Sequence, residues 1–86
     1  MKEYEKLFKA FANRRRLQII KYLKTEKEAT VGEVAEHIKL SFKSTSKHLL
    51  MLLHAGVVEK EQRSLSAFYS IVPHLPPLAR NIVSHL

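Results

Sequence analysis

The chain has 86 residues, 45% of them apolar, a formal net charge of +7 and no cysteine. That length supports one domain with a modest core, so an apolar helical face left over after folding is a candidate for burial against a second copy. The lack of cysteine excludes disulfides, thiolate metal sites and thiol nucleophiles, while the positive field favours a polyanionic partner, nucleic acid before anionic lipid.

The opening MKEYEKL alternates charged and apolar groups, unlike a signal peptide, and the longest apolar run, residues 49–53, is far short of the ~20 residues of a bilayer span. A cytoplasmic protein without a membrane partner is expected. Tyr4, Leu7, Phe8 and Phe11 stand at i, i+3, i+4 and i+7, which predicts a first helix of about three turns with a single apolar stripe. Asn13 reads as the N-cap of a second helix, carried by Leu17, Ile19, Ile20, Tyr22 and Leu23 to about Lys24 and followed by a polar loop, TEKEA. Thr30 precedes Glu33 by three residues, the spacing of a capping box, and Val31, Val34, Ala35 and Ile38 form the core face of a short third helix. Leu40 and Ser41 lead into a fourth helix over about 42–55, stopped by Gly56, so that residues from about 30 to 56 make a helix-turn-helix.

Val57 and Val58 open an extended segment, and Phe68, Tyr69, Ile71 and Val72 form another. The intervening EQRSLS has neither glycine nor asparagine, which predicts a hairpin loop longer than a two-residue primed turn. PHLPP then breaks regular structure, and Leu78, Ala79, Ile82, Val83 and Leu86 define a last amphipathic helix.

The sharpest charge signal is positional. No acidic residue lies between Glu36 and Glu59, whereas Lys39, Lys43 and Lys47 recur every four residues across the turn and into the fourth helix. That spacing puts Lys43 and Lys47 on one helical face, close to Ser41, Ser44 and His48. The helix dipole, free N–H groups and hydroxyls suit phosphate oxygens there, and Lys43, Ser44 and Lys47 are placed to reach base edges. A merely solvated lysine face, the bland alternative, normally mixes both signs. Arg14, Arg15 and Arg16 open the second helix, where the macrodipole disfavours each cation by ~0.3–1 kcal/mol. A phosphate contact for one or two of them would offset that cost; alternatively Arg16 packs or pairs with a glutamate. Lys60 and Arg63, in the hairpin, extend the basic surface toward a minor groove, against the opposing charge of Glu59 and Glu61.

These residues resemble the ArsR family of winged-helix repressors. The likeness rests on LFKAFANRRRLQIIKYL at 7–23, on TVGEVAEHIKLSFKSTSKHLLMLLHAGVV at 30–58 and on AFYSI at 67–71. It implies a mostly α fold with a small β-hairpin, a winged helix-turn-helix in the order α-α-α-α-β-β-α over one domain, 1–86, with the wing at about 57–72. It also implies a homodimer built from terminal helices at 1–12 and 75–86, through Tyr4, Leu7, Phe8, Phe11, Leu78, Ala79, Ile82, Val83 and Leu86. A DNA-recognition helix would begin at Ser41, Phe42, Lys43, Ser44, Thr45, Lys47 and His48.

Two departures bear on mechanism. Where metal sensors of this family carry a Cys-x-Cys pair, this chain has Thr30 and Gly32. His74 and His85 are weak candidates for the zinc ligands that other relatives place on the last helix, since Val72 occupies the aspartate position and eleven helical residues hold the two ~16 Å apart. His37, His48 and His54 read as surface or packing histidines. Leu50 and Leu53 stand where the family usually has polar residues, and with Leu49, Met51 and Leu52 they make the helix apolar nearly all round, which predicts burial on more than one side.

The leading expectation is a dimeric repressor that binds an inverted repeat in double-stranded DNA, without a cofactor and with an unknown effector. A winged-helix protein-interaction module using the surplus apolar surface is the alternative. An enzyme is not expected, because the chain lacks aspartate, cysteine and a glycine-rich phosphate loop.

Overall fold

Local signals start and stop most elements. In the computed structural model, which describes residues 1–86, α1 spans Lys2–Phe11 and α2 spans Arg14–Glu26. Asn13 caps α2 by accepting the Arg16 N–H at 3.1 Å. α3 (Val31–Ile38) opens on the full capping box: Thr30 Oγ1 accepts from Glu33 N at 3.2 Å while Glu33 Oε1 accepts from Thr30 N at 2.8 Å. α4 (Phe42–His54) starts at Ser41, whose Oγ accepts from Ser44 N at 3.1 Å, and Gly56 follows it with φ +77°, a conformation costly for any residue with a Cβ. β1 (Val58–Arg63) and β2 (Ser66–Ile71) pair antiparallel with Val58 opposite Ile71, and α5 (Pro77–Ser84) carries a proline at its first position. The order α-α-α-α-β-β-α is that of a winged helix-turn-helix.

The core joins Ile19, Ile20 and Leu23 of α2 to Val34 and Ile38 of α3, Leu49 and Leu52 of α4, and Val57, Val58 and Tyr69 of the hairpin. Each fully buried aliphatic side chain contributes about 1.5–3 kcal/mol. Ala29 exchanges two backbone hydrogen bonds with Tyr69, at 3.0 and 2.8 Å, tying the segment before α3 to the wing.

Three cations of α2 satisfy the C-terminal carbonyls of three other helices. Arg16 donates to Lys9 O and Ala10 O of α1, both at 2.8 Å; Arg15 donates to Ile38 O at the end of α3; Lys24 donates to Val83 O at 3.2 Å and Ser84 O at 3.3 Å of α5. Carbonyls in the last turn of a helix carry the negative end of its dipole, so each contact pairs charge with dipole, although Lys9 O and Val83 O also accept from Ala12 N at 3.3 Å and Leu86 N at 3.1 Å. α2 is thereby the hub on which the other helices are fastened.

Four expectations need correction. α2 continues through Thr25 and Glu26 rather than ending near Lys24, and turns off at Lys27 with φ 76°. The hairpin closes over two residues, Ser64 and Leu65, since Arg63 pairs with Ser66; Ser64 takes φ 54° because ladder pairing on both sides outweighs its turn preference. Leu7, Phe11, Ala79 and Val83 lie in this chain's own core, so only part of the supposed dimer set remains available. Leu53 is half-buried against the core as expected of it, but Leu50 and Met51 are each nearly half exposed, because only one side of α4 meets other elements.

Candidate nucleic-acid interface

The turn between α3 and α4 is short because Lys39 takes the left-handed conformation, φ 57° and ψ 53°, reversing the chain so that Leu40 packs on the core and Ser41 caps α4. Ser41 O also accepts from Thr45 N at 3.0 Å. The cap leaves the N–H groups of Phe42 and Lys43 without intrahelical partners at the positive end of the helix dipole. Lys39, Phe42, Lys43 and Lys47 are exposed, Ser44 and His48 half-buried. The structure thus brings the three lysines to the solvent side of one helix start, across a segment without an acid.

Other proposed contacts are differently placed. Thr45 is fully buried, since its position on α4 turns inward with Leu49 and Leu52, and its Oγ1 has no hydrogen-bond partner. It is removed from the candidate surface. Thr45→Val is therefore expected to raise unfolding free energy by about 1 kcal/mol, which for a domain this small lifts Tm by roughly 4–8 °C, while leaving any DNA affinity unchanged. A thermal melt that shows loss of stability would mean that the hydroxyl has a partner.

Arg14 is exposed, but Arg15 is occupied by Ile38 O and by Gln18 Oε1 at 3.5 Å. Arg16 pairs with no glutamate; besides the α1 carbonyls, its Nη1 lies 3.3 Å from His48 Nδ1. The dipole cost of that arginine run is offset inside the protein. Burial, then the charges of Arg16 and Arg15, push His48 below its ordinary value, so the ring is held neutral and accepts from the guanidinium.

In the wing, Lys60 is exposed, whereas Arg63 is committed to two carboxylates. It makes a two-pronged contact with Glu28 at 2.6 and 2.7 Å, meets Glu61 Oε1 at 2.6 Å, and its guanidinium lies 4.7 Å from the Phe68 ring centroid. The hydrogen bond from Arg63 holds the Glu28 carboxyl below the usual range. Arg63 is thus a clasp between the wing and the segment before α3, exposed but with its charge paired to two carboxylates. Charge pattern alone did not reveal this, because Glu28 lies 35 residues away.

On the terminal helices, Tyr4, Phe8 and Leu78 remain 41–51% exposed and, with Met1, Pro76 and Pro77, line one shallow apolar cavity; Ile82 and Leu86 are half-buried. His85 Nδ1 is 2.7 Å from Asn81 O, His74 is exposed, and His37 stacks on Tyr22 with centroids 4.2 Å apart. No three histidine or glutamate side chains converge as a metal site would require. No helix is long and apolar enough to cross a membrane.

Residues 13–60 match the profile of the family described as "Bacterial regulatory protein, arsR family". The transcriptional activator HlyU of Vibrio cholerae is 38% identical over 65 residues, 76% of this chain but 59% of that protein's length. The arsenical resistance operon repressor of Bacillus subtilis is 30% identical over 71 residues, 83% of this chain and 68% of that one. Among solved structures, HlyU superposes with a TM-score of 0.81 at 30% identity, covering 96% of this chain and 86% of that one. A homodimeric winged helix-turn-helix DNA-binding domain from Mycobacterium bovis superposes with a TM-score of 0.83 at 25% identity, covering 98% and 74%. Matched over more than half its length by the family profile, and 30% identical to a relative of which it covers more than two thirds, this chain belongs to the arsR family of bacterial regulatory proteins.

Proposed function

We propose that the chain is a sequence-specific duplex-DNA-binding transcriptional regulator that works as a homodimer and represses by occupying its operator. The observation that carries this reading is the start of α4, where Lys39, Lys43 and Lys47 are exposed and no acid intervenes from residue 37 to 58. Lysines beside free helix N–H groups suit phosphates, and the helix itself fits a major groove. Tyr4, Phe8 and Leu78 supply the apolar surface for a second copy, which would place two recognition helices about one helical turn of DNA apart on an inverted repeat. The homodimeric Mycobacterium relative supports that arrangement. Without cysteine, any effector acts through other groups.

A salt series on a selected duplex tests the reading. Log affinity should fall linearly with log salt, by about three decades or more between ~50 and ~200 mM if six or more phosphates are contacted. Flat binding over that range would reject it. The second reading, a protein-interaction module, draws on the exposure of Leu50 and Met51; a monomer in equilibrium sedimentation that ignores DNA would favour it.

A further inference from the structure

We infer that Phe42 reads the C5-methyl group of a thymine in each operator half-site, an inference that rests on the duplex-DNA reading above. Phe42 is the first residue of α4 and is 63% exposed, more than any other aromatic side chain of the protein. It belongs neither to the core nor to the apolar side chains packed around it, although Leu40, two residues earlier, does. Its place is set by the backbone instead. The left-handed Lys39 and the two hydrogen bonds that Ser41 accepts, from Ser44 N at 3.1 Å and Thr45 N at 3.0 Å, hold the first turn so that the ring projects from the helix start.

The surroundings select the partner. A large apolar ring standing in water gains by meeting apolar surface, yet the exposed residues that adjoin it in the chain are Ser41 and Lys43, with Lys39 exposed at the preceding turn. The matching surface must therefore be apolar at one point and anionic around it. A major groove meets both demands, because phosphates flank it and its floor carries a single kind of apolar group, the thymine methyl. A phenyl ring has no conventional donor or acceptor, so the other base-edge features engage it only weakly.

Deoxyuridine differs from thymidine by that methyl alone and is the probe. A duplex selected from a random pool by the wild-type protein would be remade with each thymine replaced in turn by deoxyuridine, with affinity read by fluorescence anisotropy at fixed salt. We expect one symmetry-related position at which replacement weakens wild-type binding about fourfold in one half-site and about fifteenfold in both. Phe42→Ala should bind the thymine and deoxyuridine duplexes equally, and Phe42→Leu, still apolar, should keep part of the preference. Circular dichroism confirms that both variants are folded. Equal affinity of the wild type for every substituted duplex, or an undiminished methyl preference in Phe42→Ala, overturns the inference while the DNA reading stands. Failure to select any duplex defeats both.

Discussion

Replacing Arg16 by methionine is expected to lower the unfolding free energy by about 2–4 kcal/mol, read as a fall in urea midpoint at unchanged slope. The arginine is 8% exposed, and its guanidinium serves Lys9 O, Ala10 O and His48 Nδ1 at once. Methionine keeps much of the side-chain volume but removes the donor to Ala10 O and leaves Lys9 O with only Ala12 N, at 3.3 Å, in a site that water reaches poorly. Arg16→Lys should recover only part of the loss, since an ammonium lacks the planar fork that spans all three partners. A change below about 0.5 kcal/mol for the methionine variant would mean that α1 is held by its apolar face alone. His48 gives this arrangement a pH dependence. Because burial and the neighbouring arginines lower its folded pKa, the neutral ring contributes stability that is complete above its ordinary value of 6.5 and is lost as pH falls through the lowered folded value. In Arg16→Met that loss should shrink, and in His48→Gln it should vanish. Stability curves from pH 7 to 5 that superpose for wild type and His48→Gln would remove His48 from the account.

On the proposed reading, and with Lys47 set against a phosphate rather than a base edge, Lys47→Ala should weaken binding of an inverted-repeat duplex by roughly 30-fold at ~0.15 M salt. Each lost phosphate contact forgoes about fivefold from counterion release, a dimer loses two, and the magnitude of the salt slope should fall by about 1.8. Lys47 is exposed, one helical turn beyond Lys43, on a stretch without acids. Arg63→Ala provides the contrast. Although it carries the same charge and sits in the wing, its guanidinium is held by Glu28 and Glu61, so its removal should alter affinity less than twofold and leave the slope unchanged. If Arg63→Ala instead proves the more damaging, the wing opens its clasp on DNA and supplies the stronger contact.

The chain's cations illustrate how far sequence reasoning reaches. Fifteen lysines and arginines against eight acids point to a polyanion, and the acid-free run around Lys43 locates the surface for it. Yet Arg15, Arg16, Lys24 and Arg63 are engaged within the protein, by carbonyls or carboxylates 2 to 60 residues away along the chain. Arg14, Lys39, Lys43, Lys47 and Lys60 are exposed and have no such partner.

Helix starts at Asn13, Thr30 and Ser41, the stop at Gly56 and the apolar periodicity of each helix were legible in the residues themselves. Capping and the 3.6-residue repeat are interactions within one or two turns, so their rules travel with the sequence. Which stripe residues would face this chain's own core was not legible: Leu7 and Phe11 went inward while Tyr4 and Phe8 stayed out. Nor were the burial of Thr45, the partners of Arg16 and the two-residue turn at Ser64 open to local inference. Those outcomes depend on the angles at which helices cross and on strands pairing across the hairpin, and tertiary packing alone determines which carbonyl, carboxylate or cavity a given side chain meets.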